Sequence, residues 1–179
     1  MDKKEVIKIT LGLIKDKKLE KASVGKILKN LEASPGSLYY HFKNKSEIYG
    51  EVLYYSIYEI TKHLDRVKLE RNEKDYLHNL TKMLIKTLEK KEEILFFLIG
   101  IKGSCYLNEE VKIPNFLMNF KKVLLGKQAY TKDENLLNLK LNMFLGAIYE
   151  VLYINKLKNG RNLNKEEIKQ IYESFWGKE

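Results

Sequence analysis

The sequence predicts an all-α fold of about nine helices, and three observations predict it. Apolar residues recur at i, i+3, i+4 and i+7 through nearly every segment. No alternating Val/Ile/Thr run bounded by turn residues argues for a strand. Proline occurs only 2 times in 179 residues, so little interrupts helix formation. With 44% apolar and 32% charged residues the chain can bury a core, which excludes collagenous and Pro-rich disordered classes.

The elements follow in order. A first helix is expected over 4–17, with Ile7, Leu11 and Ile14 on one face beside Val6, Ile9 and Leu13. Ser23 caps a second, whose Val24, Ile27, Leu28 and Leu31 form a narrow stripe. Glu32 and Ala33 break it. Ser34 as N-cap and Pro35 at the first helical position then start a short third helix over 35–41. Asn44 with Glu47 resembles a capping box for a long helix over 45–70, with Ile48, Val52, Ile60, Leu64 and Val67 inward. Later helices are expected over 74–91, 92–102, 114–125, 131–158 and 165–176. Gly103, Pro114, Gly126, a Thr131–Glu134 capping box, Gly160 and Asn164 with Glu167 mark their ends. This organisation divides the chain at 1–46 and 47–179.

Charge is uneven along the chain. The formal net charge is +9, and residues 1–50 hold 11 Lys against 6 acids, or +5. An anionic partner should therefore meet the N-terminal end, unless the lysines only solvate the surface. The single Cys105 cannot form an intrachain disulfide, which suits a reducing cytoplasm, and it reads as a small buried hydrophobe. The start of the chain lacks a signal peptide's unbroken apolar core, because Lys8 and Thr10 interrupt it. No apolar run approaches the roughly 20 residues that span a bilayer. No membrane partner and a cytoplasmic location are expected.

Two short helices joined by a tight turn near the N-terminus have the layout of a helix-turn-helix. Leu28, Leu31, Ala33, Leu38 and Phe42 would lock the pair onto the first helix. Ser37, Tyr39, Tyr40 and His41 crowd one short helix and cannot all be buried; with Lys26, Lys43 and Lys45 they make a basic, aromatic-edged surface suited to phosphate oxygens and base edges. Residues 6–50 resemble the DNA-binding segment of the tetracycline-repressor (TetR) family. That family's signature has the form Val-Ser-x-Gly-x-Leu-Tyr-x-His/Tyr-Phe-x-x-Lys, matched here by Ser34, Gly36, Leu38, Tyr39, His41, Phe42 and Lys45.

The resemblance implies an N-terminal three-helix helix-turn-helix domain and a C-terminal helical domain for ligand binding and dimerisation. It implies phosphate contacts from Ser23, Tyr39, His41 and Lys45, and base-edge or groove contacts from Lys26, Pro35, Gly36, Ser37 and Tyr40. The competing reading of Tyr39 and Tyr40 is half-buried packing, and that of His41 a satisfied structural histidine. Three positions depart from the family. Lys18 and Glu32 stand where turn glycines are usual, and Gly25 offers no side chain where some members contact a base. No Arg precedes Arg66, so bidentate Arg–guanine reading is unavailable to this segment.

In the C-terminal part the helix over 131–158 is apolar nearly all round, and the last helix adds a second stripe. Leu141, Leu145, Ile148, Leu152, Ile168, Tyr172 and Phe175 are the expected homodimer interface, although both helices could instead fill the monomer core. Family members enclose an effector pocket among the preceding helices. Met83, Phe96, Phe97, Tyr106, Phe116 and Phe120 suit an adaptable site for an apolar or aromatic small molecule, or a packed core. His63 and Glu59 share a helix face without an apparent third ligand, and no Gly-rich phosphate loop, Ser elbow or paired Cys occurs; no metal, cofactor or enzymatic activity is expected. The expectation is a ligand-responsive repressor that binds a palindromic operator as a homodimer. The alternatives are an effector-less architectural DNA-binding protein and a helical enzyme with incidental basicity.

Overall fold

The computed structural model describes residues 2–14, 19–68, 72–102, 104–106, 117–126 and 133–177. Among them nine α-helices occur: α1 Lys3–Ile14, α2 Val24–Leu31, α3 Pro35–His41, α4 Lys45–Leu64, α5 Glu73–Lys90, α6 Glu92–Ile101, α7 Met118–Gly126, α8 Glu134–Ile154 and α9 Lys165–Trp176. A 3-10 turn, Leu19–Lys21, and a π turn, Asn155–Asn159, complete the described helical elements. No described residue lies in a strand. The chain divides into two compact units, residues 1–59 with 91–114 and residues 60–90 with 115–179.

In the first unit, Val6, Ile7, Leu11 and Ile14 of α1 are buried, and α1 packs against α2 and α6. Ile27, Leu38, Phe42, Ile48, Val52 and Phe97 complete this core, each almost wholly buried. Residues 1–46 all fall in this unit, which also holds α6 because the apolar sequence of that helix covers α1.

In the second unit α5 packs against α7, α8 and α9. Its core holds an aromatic cluster in which the Phe144 ring lies 5.0 Å from Trp176 and 5.3 Å from both Phe120 and Phe175. Buried Glu89 accepts the backbone N–H of Leu163 and a 2.8 Å bond from Lys86 Nζ, which also donates to the Leu163 carbonyl. A buried carboxylate is tolerated when its oxygens are paired in this way.

Local chemistry sets the ends. Ser23, Ser34 and Asn164 cap α2, α3 and α9 as the sequence predicts, and the Asn164–Glu167 capping box is complete. Hydrogen bonds from the exposed Arg161 guanidinium hold the Glu167 carboxyl down to about 2. Before α4 the Asn44 side chain accepts the Glu47 N–H, but Glu47 reaches back to the N–H of Lys43 instead of Asn44.

Four expectations are corrected. The fourth helix ends at Leu64, not near residue 70: Arg66 and Val67 make tightening bonds to His63 and Leu64, and exposed Asp65, Arg66 and Lys68 give no further apolar face. Asp133 caps α8, accepting from Asn135 and Leu136; Thr131, the expected cap, lies outside the described residues. The α8 ladder changes to the π turn at Asn155, whose side chain donates to the Val151 carbonyl, and stops at Gly160 with φ 60°. Cys105 is exposed, not buried. The turn at Lys18 and the expected boundaries at Gly103 and Pro114 lie outside the described residues.

Candidate nucleic-acid interface

The helix-turn-helix is built by its caps. Ser23, extended at φ −73°, ψ 152°, accepts the Lys26 N–H at 3.3 Å, and α2 runs to Leu31. Glu32 then takes the left-handed conformation, φ 51°, ψ 36°. Its N–H bonds to the Lys29 carbonyl while that of Ala33 bonds to Leu28, the Schellman pairing that normally places Gly at this point. The family departure at Glu32 is therefore a residue held against its own preference by the turn. Ser34 accepts the Ser37 N–H at 3.3 Å, and Ser37 Oγ donates to the Ser34 carbonyl at 2.8 Å.

These caps orient α3. Leu38 and Phe42 point into the core, so Tyr39 and Tyr40 emerge on the other side, 53% and 86% exposed. The packing alternative does not describe Tyr40, whose ring is left in water, while Tyr39 keeps about half of its surface exposed beside the core that Leu38 and Phe42 fill. His41 is half-buried, with its ring 5.1 Å edge-on to Tyr40. Lys26, Pro35 and Gly36 are exposed, and Ser23 and Ser37 half-buried. A Cβ added to Gly25 or Gly36 would meet nothing within 4 Å, so the chain's own packing does not require either glycine.

Lys45, at the start of α4, is more constrained than the sequence suggests. Its ammonium lies 5.0 Å from the Tyr49 ring centroid and 4.8 Å from that of Tyr106, and it donates to the Tyr106 hydroxyl at 3.3 Å. Burial works to lower its pKa, but the interactions with Tyr49 and Tyr106 outweigh it and hold the ammonium above its ordinary value. Tyr49 is itself buried, with its hydroxyl donating to the carbonyls of Leu19 and Ala22 at 3.0 and 3.2 Å. Burial pushes the Tyr49 phenol up. Sequence reasoning missed both tyrosines as part of this site.

The segment that holds these residues has known counterparts. Residues 6–52 match the family model described as bacterial regulatory proteins, tetR family. That match covers the N-terminal segment, with α1, α2, α3 and the start of α4. Among solved structures it resembles a putative TetR-family transcription regulator from Shewanella sp. PV-4, at 14% identity and TM-score 0.77, covering 98% of this chain and 96% of that one. A TetR-family regulator from Marinobacter aquaeolei VT8 gives 18% identity and TM-score 0.75, covering 98% and 93%. The TetR-family regulator PfmR from Thermus thermophilus gives 17% identity and TM-score 0.64, covering 95% and 93%. At these identities the structures share the fold. No protein with a curated description matches the sequence. Glu59, which shares a helix face with His63, pairs with Lys91 at 3.0 Å.

The remaining expected site residues separate. Phe96, Phe97 and Tyr106 belong to the first unit: Phe96 and Phe97 are core residues, and Tyr106 sits on Lys45 and edge-on to Tyr49. Met83 and Phe120 belong to the second, Met83 half-buried on α5 and Phe120 in the aromatic cluster. Phe116 lies outside the described residues. Of the seven residues expected at the dimer interface, Leu141, Leu145, Ile148, Leu152, Ile168 and Tyr172 are buried within their own chain, and Phe175 is half-buried in the aromatic cluster. The second unit uses that stripe for its own core. The apolar side chains α8 and its π turn leave in water are instead Leu136, Leu139, Met143, Ile154 and Leu157. No described helix is long and apolar enough to cross a membrane.

Proposed function

We propose that this chain is a regulator of the TetR type, a cytoplasmic repressor that binds a palindromic operator in double-stranded DNA as a homodimer and leaves it when a small molecule binds the C-terminal helices. The carrying observation is the exposed pair Tyr39 and Tyr40 on a helix whose neighbouring residues, Leu38 and Phe42, are fixed in the core. In this reading α3 enters the major groove. Ser37, Tyr40, Pro35, Gly36 and, from α2, Lys26 meet base edges or the groove wall, while Ser23, Tyr39, His41 and Lys45 hold phosphates and set register. Open space at Gly36 would let the DNA approach the α3 backbone.

A homodimer places one α3 in each half-site, so operator symmetry would mirror protein symmetry. The exposed stripe Leu136, Leu139 and Met143, at i, i+3, i+7, supports α8 as the subunit contact. Effector release then needs two dimer shapes, only one with correctly spaced recognition helices. A ligand that prefers the other shape pulls the population off DNA by no more than its differential affinity. The aromatic cluster of the second unit and the buried Thr87 hydroxyl, which has no hydrogen-bond partner among the described residues, support an apolar ligand with one polar group.

The test is selection from randomised duplexes, followed by affinity measured at rising salt. The reading expects a symmetric enriched sequence and a log–log salt slope of about −4 or steeper, since each neutralised phosphate contributes about −0.9. No enriched sequence, or a flat slope, would contradict it.

A further inference from the structure

We infer that Tyr106 is a positioning residue for DNA binding, fixing the Lys45 ammonium at the start of α4 through its hydroxyl and ring face; the inference rests on the DNA-binding reading above. A lysine side chain on a surface helix samples many rotamers, and fixing it on binding costs affinity. Here the ammonium is enclosed before any DNA arrives. It lies between two ring faces at 5.0 and 4.8 Å and donates one of its three N–H groups to Tyr106 at 3.3 Å. The rings are themselves fixed: Tyr106 meets Tyr49 edge-on at 4.9 Å and 88°, Tyr49 meets Phe97 of α6 at 6.0 Å, and the Tyr49 hydroxyl is bonded to Leu19 and Ala22.

The cage is therefore anchored to the 3-10 turn that precedes α2 and to the core of the first unit. Lys45 keeps further N–H donors for a phosphate oxygen, and it is held where the turn from α3 enters α4. Tyr106 follows α6 and lies 61 residues away in sequence, so it adds a contribution to DNA affinity from outside the helix-turn-helix without touching DNA.

A double-mutant cycle on the full-length protein tests this, reading affinity for the selected operator and for random duplex by fluorescence anisotropy. Tyr106→Leu should weaken both DNAs about three- to tenfold, as expected for releasing one long side chain, and should have no effect in a Lys45→Ala background. Tyr106→Phe, which keeps the ring, should recover most of the loss. Equal losses with and without Lys45, or no loss from Tyr106→Leu with Lys45 present, would overturn the inference. If circular dichroism shows Tyr106→Leu unfolded, Tyr106→Phe alone decides: a small loss confined to the Lys45 background supports the inference, and any other pattern overturns it. Wild-type protein that binds no DNA would overturn the DNA-binding reading together with this one, whereas wild-type binding without coupling would overturn this one alone.

Discussion

The hydroxyl of Tyr49 stands 3.0 Å from the carbonyl oxygen of Leu19 and so ties the second turn of α4 to the turn that launches α2. The Ala22 carbonyl shares this donor, while the Leu19 carbonyl also accepts the Ala22 N–H at 3.2 Å. Tyr49→Phe keeps the ring and removes the donor, and should destabilise the protein by about 1–3 kcal/mol, the cost of leaving the buried Ala22 carbonyl unpaired. Urea unfolding followed by circular dichroism, at one fixed protein concentration because dimerisation would shift the midpoint, measures it.

Glu32 is the reverse case, a residue whose removal should help. Among the described residues it alone combines a side chain with positive φ. An L-residue in the left-handed region costs roughly 1–2 kcal/mol, which Gly avoids. Glu32→Gly should raise stability by about 0.5–1 kcal/mol after the added chain entropy is counted, and Glu32→Val should lower it. The same unfolding measurement reports both.

Gly36 separates folding from function. With open space around its Cα, Gly36→Ala should leave the free protein as stable or more stable, by up to about 1 kcal/mol, because Ala favours helix over Gly. DNA affinity should nevertheless fall, since in the proposed docking the new methyl group would stand where the groove wall approaches. A melting temperature unchanged or raised together with weaker operator binding is the expected result.

The start of α3 is legible in the sequence because Ser34 and Pro35 act within one turn, and the end of α2 because Glu32 interrupts a clean stripe. Tyr49 and Tyr106 are not, since their partners lie 30 and 61 residues away and no local pattern encodes such a meeting. The inner face of α8 is hidden for another reason. Its apolar residues nearly encircle the helix, so periodicity does not distinguish Leu141, Leu145, Ile148 and Leu152, which are buried, from Leu136, Leu139 and Met143, which are exposed.

That distinction predicts different failures. Leu139→Glu and Met143→Glu place a charge on an exposed face, so each should give a folded chain that sediments as a monomer. Leu145→Glu forces an unpaired carboxylate into the core and should unfold the second unit. Sedimentation velocity with circular dichroism distinguishes the two outcomes. Folded dimers from both exposed-face variants would place the subunit contact elsewhere.

The central claim is that α3 reads DNA with Ser37 and Tyr40 while Tyr39 holds the backbone, and the most direct measurement is the sequence preference of each variant. Base-edge contacts contribute to the difference between sites, about 1–3 kcal/mol for a good contact, whereas backbone contacts add equally to all sites. Selection from randomised duplexes with Ser37→Ala, Tyr40→Ala and Tyr39→Phe, each first shown to be folded, separates the two kinds. The account predicts that the Ser37 and Tyr40 variants relax preference at one or two symmetry-related positions, while Tyr39→Phe lowers affinity for operator and random DNA alike. Parental sequence preference retained by both the Ser37 and the Tyr40 variants would contradict it.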